Sequence, residues 1–427
     1  MTTSTDTPST LHCDALIIGA GQAAPALAVA LAGMGEKVIL VEGNQLGGTC
    51  VNVGCTPTKT LRKSARVAYM ARRAAEFGVN TGEVKIDFLK AMDRMHERVD
   101  ASLTGLGKWL TGTPGVMILK GWGSIAGHTD QGFQATVDGA DGLQGITASR
   151  VYLNTGTRPF MPTIEGLDSQ DERIVDNESL LQLRACPRHL FILGGSYIGL
   201  EFAQIFRRLG ADVTVIEPSN RIAMREDEIV TEAITDFLRQ EGVHILTGTT
   251  LKKVDGVGVD LRLHLQTTHD DGRVQSHSHA ASHLLVATGR RPNTERLNLS
   301  SIDLPVDARG YLDVNAQLET AVCGVWALGD INQRGAFTHT SYHDFEIVRD
   351  NHQRLKESSN APVQALRSVD ERVMTYALFT DPPLGRVGLN ATSARAEKEK
   401  TGRSFLIAEH DMRFVSRAKE ESETHGV

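Results

Sequence analysis

The chain has 427 residues and a formal net charge of −7. This length predicts two or three domains, and the negative charge argues against nucleic acid or an anionic membrane as the main partner. Apolar residues make up 41% of the chain and glycine is abundant, as is typical of an α/β protein. Five cysteines are too few for a disulfide-stapled secreted protein. The N-terminus has no features of a signal peptide or membrane span, so we expect a cytoplasmic location.

The first predicted unit is a strand, a helix and a second strand. Residues 15–18 and 38–41 are buried apolar runs, and a glycine-rich turn opens the helix between them. Small residues in this turn would allow a tight bend, the approach of a pyrophosphate and close helix packing, while an acidic residue after the second strand would bind a ribose hydroxyl. The residues in these positions are Gly19, Gly21, Ala24 and Glu42. The pattern predicts a dinucleotide-binding βαβ unit.

Cys50 and Cys55 follow, with four residues between them. Thr56 is a good helix N-cap and Pro57 suits the first helical position. The helix N-terminus, together with Lys59 one turn on, would stabilise a thiolate at Cys55. The spacing therefore predicts a redox-active disulfide. The alternatives are two core cysteines or a structural zinc site, but zinc would need a second close pair of ligands.

Residues 47–59 resemble the active-site segment of the class I pyridine nucleotide-disulfide oxidoreductases, which include dihydrolipoamide dehydrogenase, glutathione reductase and mercuric reductase. Thr56 and Thr58 make the segment more similar to the mercuric-reductase-like branch. The resemblance implies bound FAD. Within this segment it implies FAD contacts at Gly48, Thr49 and Lys59.

A second βαβ unit repeats the first at a constant offset of 175 residues, so that Gly19 corresponds to Gly194 and Glu42 to Glu217. Two such units predict two dinucleotides, which in a redox protein suggests a flavin and a nicotinamide. A decayed duplicate is the alternative, since Ser196 replaces the second glycine; its small side chain hinders close phosphate approach without excluding it. The residues expected at this site are Gly194, Ser196, Tyr197, Ile198, Gly199, Glu217 and Gly289.

The acidic residue of the second unit predicts NAD(H) rather than NADP(H). The carboxylate of Glu217 would accept hydrogen bonds from a free ribose and would repel a 2′-phosphate. Arg221 and Arg225 follow closely and could supply the opposite preference.

Between the units, residues 87–110 are expected to form a long helix continuing the one after the cysteines, and residues 117–125 and 133–137 to be strands of a small sheet. Residues 151–159 and 284–292 each carry a strand into a Thr-Gly turn. In the resembled family these two segments mark the exit of the chain from the FAD domain and its return. The FAD contacts expected here are Gly123, Thr155 and Gly156.

Residues 320–330 resemble the second flavin motif of the family, in which a strand delivers an aspartate, here Asp330, to the ribityl chain. Residues 336–342 resemble the stretch that lies along the flavin, with Thr338 near the isoalloxazine.

The resemblance also implies the catalytic roles. Cys55 is expected to be the thiolate against the flavin and Cys50 the thiol that meets the substrate. Lys59 and Glu201 match the ion pair beside the flavin and nicotinamide, and Tyr197 matches an aromatic gate over the nicotinamide pocket.

From about residue 373 the chain resembles the opening of the dimerisation domain of the family, so a homodimer is expected. In the family this domain carries a His–Glu pair that serves the cysteines of the partner subunit as acid and base. No such pair closes this sequence, so we expect either a fragment or a truncated protein. His277, His279 and His283 could form a metal cluster, but they lie in a polar Ser/His-rich hairpin that is typical of a solvated loop, so no resident metal is expected.

The sequence therefore predicts an α/β protein with two Rossmann-like FAD/NAD(P)-binding domains and an incomplete C-terminal α+β dimerisation domain. The predicted FAD-binding domain comprises residues 1–163 and 292–360, the NAD(P)-binding domain 164–291 and the dimerisation domain 361–427. Electrons would pass from NAD(P)H through FAD to the Cys50–Cys55 disulfide and on to a small-molecule disulfide or a metal-ion acceptor. The alternative is a truncated flavoprotein that senses redox state, or acts only as a diaphorase, without turning over.

Overall fold

The computed structural model of the protein describes residues 10–358, 362 and 365–427. The chain divides into two compact units. The first unit consists of Met1–Thr56, Glu97–Arg158 and Arg290–Arg372, and the second of Pro57–His96, Pro159–Gly289 and Val373–Val427. The assignment of domains to cofactors stays a prediction. Its boundary between residues 360 and 361 lies outside the described residues, as do residues 1–9.

The predicted α/β class is confirmed. The α-helices are α1 (Ala24–Gly33), α2 (Gly48–Asn52), α3 (Cys55–Arg73), α4 (Phe88–Thr111), α5 (Tyr197–Leu209), α6 (Glu228–Gln240), α7 (Thr338–Glu357), α8 (Ala391–Thr401) and α9 (Ser416–Glu420). The strands are β1 (Leu11–Ile18), β2 (Val38–Glu42), β3 (Val116–Lys120), β4 (Trp122–Thr129), β5 (Gly132–Gly139), β6 (Gly142–Leu153), β7 (Thr157–Pro159), β8 (Ile174–Val175), β9 (His189–Leu193), β10 (Asp212–Ile216), β11 (Val243–Leu246), β12 (Thr249–Val257), β13 (Asp260–Thr268), β14 (Val274–Ala281), β15 (His283–Val286), β16 (Arg290–Pro292), β17 (Val325–Ala327), β18 (Thr375–Leu378) and β19 (Leu384–Val387).

The first unit contains a seven-stranded sheet in the order β3-β2-β1-β6-β5-β4, with β17 also paired to β6. Strands β1, β2, β3 and β17 join it in parallel, and Ile17 of β1 lies opposite Leu40 on one side and Tyr152 on the other. Residues 15–18 of β1 and 38–41 of β2 are apolar and buried because both faces of a parallel sheet are covered. The expected separate small sheet does not form. Strand β6 pairs with β1 along one edge and antiparallel with β5 along the other, which merges all of these strands into one sheet.

The helix expected to continue from the cysteines into residues 87–110 is interrupted. Helix α3 ends in a single 3-10 turn, and Gly78 then leaves the helical conformation with φ +75°. Helix α4 starts anew after Asp87, whose carboxylate accepts a hydrogen bond from the backbone N–H of Lys90 at 3.0 Å. The break thus carries local stop and start signals.

The second unit contains a parallel sheet in the order β11-β10-β9-β15-β8, an antiparallel sheet β12-β13-β14 and the antiparallel pair β18-β19. His277 and His279 lie within strand β14, which pairs antiparallel with β13, so the predicted polar hairpin is confirmed but the predicted loop at these histidines is wrong. Strand β13 carries a row of buried leucines, Leu261, Leu263 and Leu265, and β14 pairs with it along its whole length. Pairing with the buried strand β13 places the polar residues of β14 in a sheet, although their composition alone does not favour a strand.

A buried ionic cluster fixes helix α5 in the second unit. The side chain of Arg208 is 3% exposed; its Nε lies 2.7 Å from Glu241 Oε2 and its Nη1 lies 2.6 Å from Asp381 Oδ2. One turn earlier, Gln204 donates to the carbonyl oxygen of Asp381 at 2.8 Å. Because α5 begins with Tyr197 and contains Glu201, this cluster holds the helix that carries two predicted site residues.

Replacing Arg208 by methionine should destabilise the second unit by about 3–5 kcal/mol, because it leaves the carboxylate of Glu241 buried without its cation and removes the most buried of the three arginines paired with Asp381. The matched control is Arg184→Met, which breaks an ion pair with Asp93 whose two side chains are both more than half exposed. That change should cost at most about 1 kcal/mol. Urea unfolding of both variants checks this, and equal losses would contradict the proposed weight of the cluster.

Candidate active site

The two glycine-rich loops share one backbone geometry. Gly19 and Gly194 have φ of +92° and +117°, and a Cβ added at either would lie 2.5 Å from a carbonyl oxygen, that of Asn154 or of Ala287 respectively. A Cβ on Gly21 would lie 2.7 Å from the side-chain oxygen of Asn154. Only glycine fits these positions, and each loop can therefore turn tightly from strand into helix.

The two acidic residues repeat as well. Glu42 accepts backbone N–H bonds from Ala20 and Asn44, both at 2.7 Å. Glu217 accepts the two equivalent bonds, from residues 175 positions further along, at 2.8 and 2.9 Å. Burial raises the pKa of Glu42, and its two N–H donors oppose that effect. Each carboxylate is thus held at the end of its strand, where a ribose hydroxyl binds in dinucleotide folds.

The helix following each loop packs closely through a small residue. Ala24 is fully buried, and an added Cβ at Gly199 would overlap the carbonyl oxygen of Gly194. Ser196, in place of the second glycine, is exposed and has an extended backbone with φ −99°. Serine causes no strain there, so the substitution gives no support to a decayed duplicate.

The cysteine segment is attached to the first glycine-rich loop. The backbone N–H of Gly47 donates to the carbonyl of Ala20 at 2.8 Å, and Gln22 Nε2 donates to the carbonyl of Gly47 at 2.9 Å. Gly48, with φ +59°, packs so closely that an added Cβ would lie 3.0 Å from Cα of Gly21. The position of the cysteines is therefore set by the dinucleotide loop itself.

The turn between α2 and α3 brings the cysteines together. Helix α3 begins at Cys55, one residue before the predicted N-cap Thr56, so the predicted cap is wrong. A Cβ on Gly54 would lie 2.8 Å from the carbonyl oxygen of Thr49, so this turn requires glycine. Cys50 and Cys55 are both free thiols, and their side chains are hydrogen-bonded.

The two sulfurs differ electrostatically. The hydrogen bond with Cys55, burial and the charge on Cys55 raise the pKa of Cys50. Cys50 therefore holds its proton more strongly than an ordinary cysteine does. The Sγ of Cys55 also lies 3.1 Å from Oγ1 of Thr338, the first residue of α7. Cys55 thus lies at the start of one helix and contacts the start of another, and both ends favour an anion.

A polar chain surrounds Asp330. Thr157 Oγ1 donates to the Asp330 carboxylate at 3.2 Å, and Arg290 donates to Thr157 Oγ1 at 2.7 Å and to Thr49 Oγ1 at 3.3 Å. Burial raises the pKa of Asp330, and the charge of Arg290 opposes that effect. Sequence reasoning missed Thr157 and Arg290, although Arg290 directly follows the predicted Gly289.

The other predicted cofactor contacts lie in both units. Gly156 and Gly289 have φ of +62° and +150°, and nothing lies within 4 Å of an added Cβ at either. The hydroxyl of Thr155 donates to a backbone carbonyl at 2.9 Å, and Gly123 packs against β1. Ile198 is 36% exposed in the first turn of α5. Their roles toward a cofactor stay predictions.

The expected ion pair of the second unit is formed. Lys59 Nζ lies 2.8 and 3.1 Å from the two carboxylate oxygens of Glu201, whose side chain is 10% exposed. Glu201 also accepts the backbone N–H of Phe379 at 2.9 Å, and the Phe379 ring centroid lies 4.3 Å from Lys59 Nζ. Phe379 was not predicted, because nothing in the local sequence points to a partner so far along the chain.

No helix within residues 10–358, 362 and 365–427 is both long enough and apolar enough to span a membrane. In the part of the chain that the structure describes, no three His, Cys, Asp or Glu side chains are grouped as metal ligands would be.

Two matching dinucleotide loops and an attached cysteine pair define a flavin- and nicotinamide-dependent redox protein. The chain belongs to the pyridine nucleotide-disulphide oxidoreductase family, which matches residues 13–344. The predicted family is thereby confirmed, and the protein is a flavoprotein oxidoreductase of a family that binds FAD and NAD(P)H.

Known relatives include several enzymes. The probable pyridine nucleotide-disulfide oxidoreductase RclA of Escherichia coli is 31% identical over 420 residues, which are 97% of this chain and 84% of the relative. A mercuric reductase of Streptomyces lividans is 33% identical over 417 residues, 97% of this chain and 82% of the relative. A dihydrolipoyl dehydrogenase of Cupriavidus necator is 30% identical over 398 residues, which are 90% of this chain and 79% of the relative. The relatives come from several branches, so the mercuric-reductase-like assignment stays a prediction.

Solved structures of flavoprotein disulfide reductases have a similar fold. The Cu(II) complex of the HOCl-induced flavoprotein disulfide reductase RclA from E. coli has a TM-score of 0.82 at 30% identity, covering 97% of this chain and 85% of that one. LpdA from Mycobacterium tuberculosis has the same TM-score at 22% identity, covering 96% and 85%, and so supports the fold.

The residues of the first unit fit FAD. The glycines of the first loop carry no side chain that would block a pyrophosphate, and Glu42 lies at the end of β2, where a ribose hydroxyl binds in dinucleotide folds. The buried carboxylate of Asp330 and the open backbone at Gly156 suit a ligand rich in hydroxyl groups.

We expect Thr338→Val to weaken the long-wavelength absorbance that a thiolate gives beside oxidised flavin in the two-electron-reduced, FAD-loaded protein. Valine keeps the shape of threonine but cannot donate to Cys55, and a hydrogen bond to a charged group contributes about 1.5–3 kcal/mol. Thr111→Val, on the exposed face of α4, is the control and should leave the band intact. An unchanged band in the Thr338 variant would show that its hydroxyl does not stabilise the thiolate.

Proposed function

We propose that the protein passes electrons from NAD(P)H through FAD to the Cys50–Cys55 disulfide and on to a disulfide or metal-ion acceptor. The observation that carries this proposal is the thiol pair in the segment attached to the first glycine-rich loop, in which Cys55 is hydrogen-bonded to both Cys50 and Thr338. FAD, when bound, would supply two-electron transfer between nicotinamide and sulfur.

The cysteines themselves account for the sulfur chemistry. Two electrons and two protons convert the disulfide into two thiols. Cys50, once deprotonated, attacks a substrate disulfide, forming a mixed disulfide and releasing one substrate thiolate. Cys55, as thiolate, then attacks the sulfur of Cys50, releases the second substrate thiolate and restores the disulfide.

NADH is the proposed coenzyme. Each oxygen of Glu217 accepts one backbone N–H, which fixes the carboxylate and leaves a lone pair on each oxygen for a ribose hydroxyl. The same fixed negative charge would repel a 2′-phosphate.

NADH should therefore reduce the flavin faster than NADPH in anaerobic stopped-flow experiments. Glu217→Gln should lower the NADH/NADPH ratio of kcat/KM about fivefold or more, since a unit charge at about 4 Å is worth about 1 kcal/mol even in water. Glu232→Gln, on α6 of the same unit, controls for the loss of one negative charge. Faster reduction by NADPH in the unmodified protein would refute the preference.

The acceptor is proposed from the names of the relatives, which are mercuric reductases, dihydrolipoyl dehydrogenases and a reductase solved with Cu(II). The test is to supply mercuric ion, cupric ion and a lipoamide-type disulfide to the FAD-loaded protein with NADH.

Cys50→Ser and Cys55→Ser should each reduce turnover of the true acceptor to background while direct reduction of quinones or dyes by flavin persists. Cys323→Ser, at an exposed cysteine outside this site, should behave as the unmodified protein does. Acceptor turnover that survives in Cys50→Ser would contradict the proposed path. Turnover of dyes alone would favour the alternative of a diaphorase or redox sensor.

We also propose a homodimer. Large apolar side chains are exposed along the C-terminal segment, with Val387 73%, Phe414 68% and Leu406 fully exposed. Apolar surface of this kind is typically covered by a partner, and a second copy is the partner that the family implies.

A further inference from the structure

Glu226 is a buried carboxylate that the proposed electron path does not use. Its side chain is 3% exposed, and one oxygen accepts hydrogen bonds from the hydroxyls of Tyr197 and Tyr376, the latter at 2.6 Å. Arg386 Nη1 lies 3.5 Å from the second oxygen and donates to the Tyr376 hydroxyl at 2.7 Å. All four residues belong to the second unit.

In this arrangement the hydroxyls of Tyr197 and Tyr376 act as hydrogen-bond donors to Glu226. Burial and the bond to Glu226 raise the pKa of Tyr197 and of Tyr376, so both hydroxyls keep their protons and donate to the carboxylate. The two rings lie 5.6 Å apart between centroids. A buried carboxylate is tolerated when it is fully paired, and here the partners are two tyrosine hydroxyls and one arginine.

The backbone that carries Glu226 is fixed at both ends. Ala223 N–H donates to the carbonyl of Gly195, in the second glycine-rich loop, at 2.8 Å. Asp227 accepts backbone N–H bonds from Ala391 at 2.8 Å and Thr392 at 3.2 Å. Glu226 is therefore held in a fixed position relative to the glycine-rich loop.

We propose that Glu226 is a positioning residue that fixes the ring of Tyr197 for the nicotinamide end of the coenzyme. Tyr197 is the first residue of α5, directly after the glycine-rich loop, and so lies at the dinucleotide site of the second unit. The inference rests on the proposed function, in which this site binds NAD(P)H. If the Tyr197 ring is already held in place before the coenzyme binds, binding does not have to order it. If the ring is loose, the entropy lost when it becomes ordered weakens the affinity for the coenzyme.

Glu226→Gln and Tyr197→Phe should each raise the KM for NADH about 3- to 10-fold, the range expected from the net contribution of one hydrogen bond. The kcat should change less than about twofold, because the lost interaction acts on binding. The double variant should be no worse than the more affected single variant, because Glu226→Gln weakens the same bond that Tyr197→Phe removes. Tyr69→Phe, which removes a tyrosine hydroxyl bonded to Arg73 elsewhere in the second unit, is the control and should leave KM unchanged.

ADP-ribose, which lacks the nicotinamide ring, separates positioning of Tyr197 from general damage to the loop. Its inhibition constant should be unaltered in Glu226→Gln and Tyr197→Phe. A rise parallel to the KM would mean that Glu226 shapes the glycine-rich loop, and an unchanged KM would mean that the ring needs no anchor; either result overturns the proposal. Tyr197→Phe keeps the ring and the carboxylate, so the test stands if Glu226→Gln fails to fold. Flavin that neither coenzyme reduces in the unmodified protein would instead refute the proposed function.

Discussion

The close approach of a backbone carbonyl to a glycine at the end of a strand is the constraint on which the rest of the structure depends. At Gly19 and at Gly194 a side chain would collide with a carbonyl oxygen at 2.5 Å, so the chain can turn there only as glycine. This turn aims the backbone N–H groups of the following residues at the acidic side chains Glu42 and Glu217. In the same turn, the backbone carbonyl of Ala20 or of Gly195 can accept a hydrogen bond from another segment of the chain.

The two halves use that carbonyl for different purposes. In the first unit Ala20 accepts the N–H of Gly47 and so carries the cysteine segment. In the second unit Gly195 accepts the N–H of Ala223 and so carries the loop of Glu226. The two donating residues, Gly47 and Ala223, both have a positive φ, +86° and +47° respectively. The repeated fold therefore has the same attachment point in both units. In the first unit the attached segment carries the cysteines, and in the second it carries Glu226, which binds the hydroxyl of Tyr197.

Local patterns predicted much of this architecture. The strands around Gly19 and Gly194, the cysteine turn and the strand before Asp330 follow from apolar runs and glycines that are contiguous in sequence. The break between α3 and α4, the merged sheet and the strand through His277 were not predicted, because a stop signal at Gly78 or a long partner strand outweighed local composition. Arg290, Phe379 and Glu226 could not be found at all, since their partners lie far away along the chain.

Those distant partners share a pattern of their own along helix α5. Tyr197, Glu201, Gln204 and Arg208 are spaced by four, three and four residues, which places them on one face of the helix. That face meets the segment after residue 373: the Tyr197 ring packs beside Tyr376, and the other three bond to Phe379 or Asp381. One stripe of α5 is thus completed by a segment about 180 residues later, which contributes to the ion pair, the tyrosine anchor and the buried cluster together. A change in that segment should therefore alter the packing and position of α5.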